Sequence, residues 1–143
     1  MSQIDTARQA IVTALTAAVP AGVAVVPVNS LDDFKAVLRQ PPAVGVAYAA
    51  KQHEPRPKVI GATRQSVAEW HFEVYVAAPG PGPGVAAGQD VFALLEAADQ
   101  ALEGLTFSLG SQMVRLLATG DQFVDLLVGA LLYVQGWKFW QQG

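Results

Sequence analysis

The most regular hydrophobic pattern in the chain lies in residues 67–78, "VAEWHFEVYVAA". Apolar and polar side chains alternate there with a period of two, which is typical of a half-buried antiparallel strand. One predicted face carries Ala68, Trp70, Phe72, Val74 and Val76, and the other carries Glu69, His71, Glu73 and Tyr75. The pattern therefore predicts a strand with one face in a core and one polar face.

Helical spacing of apolar residues occurs in two further segments. It predicts a helix over 5–18, capped by Asp5 or Thr6, and a second helix over 88–103. A capping signal at the start of 29–38 predicts a short helix there.

Short apolar runs predict four more strands. They cover 23–28, 43–51, 111–119 and 129–142, with a turn at Gly120–Asp121 after the third. Pro27 cannot donate to a ladder, so the first of these strands is expected at a sheet edge. In the last strand, Trp137 and Trp140 are expected to pack in the core or, as the alternative, between subunits.

Segment 52–66 is predicted to be a long polar loop. The order of elements then predicts one α+β domain over residues 1–143. Its core would be a mostly antiparallel four- to five-stranded sheet with two main helices packed on one face.

Composition adds an indication of assembly. Hydrophobic residues form 52% of the 143 residues and charged residues only 15%, against about 25% in a typical domain. So few charges indicate that part of the surface is covered by other copies of the chain. A small, Ala-rich domain is the alternative explanation. The net charge of −3 argues against a general nucleic-acid binder.

The N-terminal segment lacks the basic start and continuous apolar stretch of a signal peptide. Apolar runs are also shorter than the roughly 20 residues of a membrane helix. The chain has no cysteine, which excludes disulfide and thiolate chemistry. We therefore expect a soluble protein of the cytoplasm that does not contact a membrane.

Residues 79–84, "PGPGPG", precede the predicted helix 88–103 and raise the question of a phosphate-binding loop. The Lys-Ser/Thr pair of a P-loop is missing, and three prolines remove backbone donors. Asp90, in the first helical turn, would also repel a phosphate. The segment is therefore interpreted as a spacer, and no cofactor is expected.

Catalytic and metal-binding patterns are weak. His71 lies between Glu69 and Glu73 on one strand face, an arrangement that could bind a metal. A water-facing polar sheet face explains it better. No nucleophile elbow supports a hydrolase. We therefore assign no catalytic, cofactor-binding or metal-binding residues.

Basic residues concentrate in segment 52–66, which contains Arg56, Lys58 and Arg64 but only one acidic residue, Glu54. Loops of this length are often functional. Two interpretations stand: an arm that contacts an acidic partner or DNA, and a solvated flexible loop.

Four segments together resemble the tail terminator (tail completion) proteins of long-tailed bacteriophages, especially the Mu-like branch. They are the helix "DTARQAIVTALTAAVP", the strand "EWHFEVYVAA" after the basic segment, the helix "GQDVFALLEAADQALEGL" and the last strand "GALLYVQGWKFWQQ". The similarity covers nearly the whole chain and rests on the pattern and order of elements.

The resemblance implies a structural protein without enzymatic activity that forms a homohexameric ring. Such a ring caps the head-proximal end of the tail tube in the virion, after assembly in the host cytoplasm. Its partners would be the tube protein and the head-completion or neck protein, with the sheath protein as a further candidate. Arg56, Lys58 and Arg64 would contact a subunit or the tube. Glu69 and Glu73 would face a lumen through which DNA passes without specific binding.

Two other functions are left open by the sequence. One is another neck or minor tail protein of a phage or a phage-derived tailocin. The other is a small nucleotide-binding subunit, which would depend on the glycine segment.

Overall fold

The computed structural model describes residues 2–38, 40–53, 58–60, 63–65 and 67–142. The helices are α1 (Gln3–Ala18), α2 (Leu31–Val37) and α3 (Val91–Leu102). The strands are β1 (Ala24–Pro27), β2 (Ala43–His53), β3 (Lys58–Ile60), β4 (Thr63–Gln65), β5 (Val67–Ala78), β6 (Thr106–Leu109), β7 (Gln112–Arg115), β8 (Leu117–Leu127) and β9 (Ala130–Gln142).

Five strands form the main sheet in the order β1-β2-β5-β9-β8. β1 pairs with β2 in parallel, and the other three pairings are antiparallel. Two separate hairpins, β3-β4 and β6-β7, complete the described strands. The α+β class and the mostly antiparallel sheet are thus confirmed, and β1 with its Pro27 is an edge strand.

The first face of the sheet carries the larger core. Every second residue of β5 from Ala68 to Ala78 is buried on this face, as the alternation predicts. α1 covers it with Ile11 and Leu15, and α3 covers it with its own apolar stripe. The two main helices therefore pack on one face of the sheet, as the sequence predicts.

The second face is covered only in part, by α2. Phe34 of α2 is fully buried and packs against Tyr75, with ring centroids 5.6 Å apart. It also lies directly over Gly45 of β2. Ser30 caps α2 by accepting a hydrogen bond from the Asp33 amide. A seven-residue helix is unstable alone, so α2 depends on this cap and on the burial of Phe34.

A buried polar group links α3 to the sheet. The side chain of Gln135 is fully buried, accepts a hydrogen bond from Trp137 Nε1 at 2.8 Å and donates one to the Asp99 carboxylate at 2.9 Å. Burial raises the pKa of Asp99, and nearby carboxylates raise it further. Each polar atom of the Gln135 amide thus has a partner, as a buried amide requires.

Several predicted boundaries are wrong. Ser2, not Asp5 or Thr6, caps α1. The predicted turn at Gly120–Asp121 lies inside β8: Gly120 has a φ of +132° and marks a register shift, so the irregularity is a bulge. The chain turns instead at Gly129, which has a φ of +74°. Trp140 is 47% exposed and lies outside the core, whereas Trp137 is fully buried.

Two hairpins were not predicted. β6 and β7 pair across Gly110, whose φ of +64° suits a tight turn. β3 and β4 lie within the predicted loop 52–66, and β2 extends into it as far as His53. The loop prediction is therefore wrong for these residues.

Gly45 provides a test of the packing between α2 and the sheet. A Cβ atom added there would lie 2.5 Å from Phe34 Cδ1, so Gly45→Ala should force the buried ring to move. We expect a loss of about 1–3 kcal/mol in the free energy of unfolding, measured by urea denaturation.

Gly82→Ala is the matched control, because no atom lies within 4 Å of its added Cβ. This variant should differ from the wild type by less than about 0.5 kcal/mol. Equal stability of the two variants would contradict the packing of Phe34 on Gly45.

Candidate functional site

The part of the second sheet face that α2 leaves uncovered is polar, and we call it the open polar face. It is formed by Glu69, His71 and Glu73 of β5 and by Lys138 of β9. Their positions follow from the strand pairing, because His71 lies opposite Lys138 and Glu73 lies opposite Gly136. The structure therefore brings Glu69 and Glu73 onto one surface, on the face predicted from the sequence.

The charges of this face are partly compensated. Glu69 pairs with Lys138 at 3.1 Å, and His71 Nε2 lies 3.8 Å from the other Glu69 oxygen. The Lys138 ammonium also lies 4.9 Å from the centroid of the Trp140 ring, within cation–π range. Glu69 thus contributes less negative charge to this face than its carboxylate alone would.

Glu73 has a different environment from Glu69. It lines a groove of about 370 Å³ together with Thr119, Asp121 and Gln122 of β8. No described residue forms an ion pair with Glu73. Burial first, and the Glu73 carboxylate second, raise the pKa of the neighbouring Tyr75 to about 12. The groove is therefore the more acidic part of the open polar face.

The open polar face offers no metal site. Across the part of the chain that the structure describes, no group of three His, Asp or Glu side chains is close enough to share a metal ion. Glu69 instead forms an ion pair with Lys138, and the His71 ring lies beside it on a half-buried sheet surface.

The structure describes only part of the basic segment 52–66. Arg56 lies outside the described residues. Lys58 is in β3 and Arg64 is in β4, and their backbones lie on neighbouring rungs of the hairpin, where Lys58 pairs with Gln65 and Val59 pairs with Arg64. The hairpin joins the end of β2 to the start of β5. Lys58 and Arg64 are thus brought close along a short ladder rather than spread along a loop.

The spacer 79–84 leads into α3, whose amino end is already occupied. The Asp90 carboxylate accepts hydrogen bonds from the backbone amides of Phe92 and Ala93 at 3.1 and 3.0 Å. These amides are the donors that a phosphate would need. A carboxylate of the chain itself takes their place, which supports the interpretation of 79–84 as a spacer.

A cluster of exposed apolar residues lies at the β8 edge, and we call it the edge patch. It comprises Phe92 of α3, Phe123 and Leu126 of β8, and Val128 in the following turn. The rings of Phe92 and Phe123 both stand edge-on against Tyr133, at centroid distances of 6.0 and 5.5 Å. Sequence reasoning missed this patch because it ended the strand at residue 119. The run "FVDLLV" over 123–128 was the available signal.

An apolar groove lies at the opposite edge of the sheet, and we call it the β1 groove. It has a volume of about 770 Å³ and is lined by β1 and by the end of α2, including Val26, Phe34, Val37 and Leu38. Pro41 and Pro42 form part of its wall. None of the described residues that line it is charged.

No protein-family model matches the sequence, and no curated protein matches it significantly. None of the helices in the described ranges is long and apolar enough to cross a membrane.

Proposed function

We propose that this protein is a structural assembly subunit, built to be covered by neighbouring molecules on several sides. The observation that carries the proposal is the presence of exposed apolar surface at both edges of one sheet: the edge patch and the β1 groove. Exposed apolar surface of this kind marks interaction sites. An assembly subunit buries such surface against its neighbours.

The resemblance to tail terminator proteins specifies the assembly. We propose a ring that caps the head-proximal end of a phage tail tube, ends tube polymerisation and connects the tail to the head or neck. The α+β architecture and the long final strand β9 agree with what the resemblance implies for the fold. In physical terms, one face of the ring matches the last tube ring, and the other face lacks a repeat of that surface.

The open polar face supports a lining role in such a ring. Glu73 and the acidic groove around it would present negative charge to passing DNA, whose phosphates they repel. Glu69 would contribute less, because Lys138 neutralises it. The β3-β4 hairpin, with Lys58 and Arg64, would contact a subunit or the tube.

The length of tails assembled without this protein tests the proposal. If the protein ends polymerisation, electron micrographs of particles from a producer that lacks it should show tubes longer than normal and not joined to heads. Supplying the intact chain from a plasmid should restore both the length and the joining.

Tubes of normal length in the absence of the protein would contradict the terminator role. Normal tubes that fail to join heads would point to a neck protein, which is the alternative within the same assembly.

The basic residues are tested by single charge reversals. We expect Arg56→Glu, Lys58→Glu and Arg64→Glu to reduce the yield of joined, infective particles, because each places an acid at the proposed contact. Arg115→Glu is the matched control, since Arg115 is exposed on β7. Thermal melting of all four variants should match the wild type.

Assembly yields for all three arm variants equal to that of Arg115→Glu would refute the contact. The basic segment would then be a solvated hairpin.

A further inference from the structure

We propose that the edge patch of one copy of this chain seats in the β1 groove of the next copy, so that copies associate head to tail. This contact would be the subunit interface of the proposed ring, and only the closure of the row of copies rests on that proposed function. The two surfaces lie at opposite edges of one sheet.

The edge patch has the composition of an interface centre. Four of the seven large exposed hydrophobic side chains among the described residues gather there: Phe92, Phe123, Leu126 and Val128. Aromatic and aliphatic side chains without charges form the buried centres of protein interfaces. Asp125, next to Leu126 in β8, lies on the other sheet face, where it pairs with Lys35 of α2 at 3.0 Å. Two exposed acids border the patch on its own face: Asp121, two residues before Phe123, and Glu96, one helical turn after Phe92.

The β1 groove has the matching character. Its described lining is apolar or uncharged, and Val37, another of the seven exposed hydrophobic residues, stands at its wall. Among the described residues, the four side chains of the patch and the lining of the groove carry no charge, so their contact would bury no described charge without a partner.

The topology decides the kind of contact. β8 and β1 are the two outer strands of the sheet, with β2, β5 and β9 between them. A patch and a groove on opposite edges of the sheet cannot contact each other within one copy. Because the two surfaces differ, their contact is heterologous, and each added copy presents a new free patch and a new free groove. Such a row ends only when it closes into a ring.

A second copy is favoured over other occupants for the same reason. An unrelated protein or an apolar small molecule in the β1 groove would leave the edge patch exposed. A copy of the chain covers both surfaces with one repeated contact. The volume of the groove lies within the range of about 300–1,000 Å³ that small-molecule sites also have, so a ligand is an outcome for the test to separate.

Cysteine cross-linking of the full-length protein tests the interface, because the chain has no cysteine of its own. Val37→Cys marks the groove and Leu126→Cys marks the patch. Both positions are exposed, at 45% and 71%, so the substitutions should leave the fold intact, as thermal melting will check. A short bismaleimide is added to each single variant, to their mixture and to the double variant.

Head-to-tail contact gives a specific pattern. Neither single variant alone should cross-link efficiently, the mixture should give covalent dimers only, and the double variant should give a ladder beyond the dimer. The yield of dimer from the mixture should exceed that of either single variant by at least about tenfold. Met113→Cys is the matched control for the patch, because Met113 is 68% exposed on β7, away from the patch. Mixed with Val37→Cys, it should give no dimer above background.

Three results would overturn the inference. Efficient dimers from Leu126→Cys alone would show a symmetric patch-to-patch contact. Equal yields with Met113→Cys would show random collision. Absence of cross-links from the double variant at high protein concentration would show that the groove does not receive the patch, and a groove filled by a small molecule would give this result.

The outcome is separable from the proposed function. If cross-linking succeeds but tail length does not depend on the protein, the interface stands and the terminator role fails. If tails grow overlong without the protein but cross-linking fails, the role stands and the subunits meet through other surfaces.

Discussion

The fold depends on the two unequal faces of β5, the middle strand of the sheet. One face is apolar along its whole length and accepts α1 and α3. The other face is polar at Glu69, His71 and Glu73 and apolar at Tyr75 and Ala77, where α2 packs. A single short helix can therefore cover that second face only where the sequence is apolar, and Gly45 provides the room for its Phe34. The part that is left open is the candidate lining surface.

Strong periodicity made much of this fold predictable. The alternation in 67–78 gave the face of each residue of β5, and helical spacing gave α1 and α3 to within a few residues. The edge position of β1 followed from Pro27, which has no amide proton to donate. These elements are buried on one side, and one-sided burial requires apolar residues at the regular spacing of a strand or a helix.

The elements that were missed lack such a period. β8 is exposed along much of its length and contains two register shifts, so neither alternation nor continuity marks it. Gly120 therefore resembled a turn, and the edge patch at Phe123 and Leu126 went unseen. For the open polar face, the sequence predicted which residues share a surface. The pairing of Glu69 with Lys138 depends on the register of β5 with β9, which a single sequence does not contain.

We propose that the apolar surfaces at two edges of one sheet, the edge patch and the β1 groove, join copies of the chain into a closed ring. Native mass spectrometry over a wide range of protein concentrations tests this most directly. The account predicts a single large species of about six copies, whose mass stops increasing once the ring is closed. A monomer at every concentration, a dimer that grows no further, or a mass that increases without limit would contradict it.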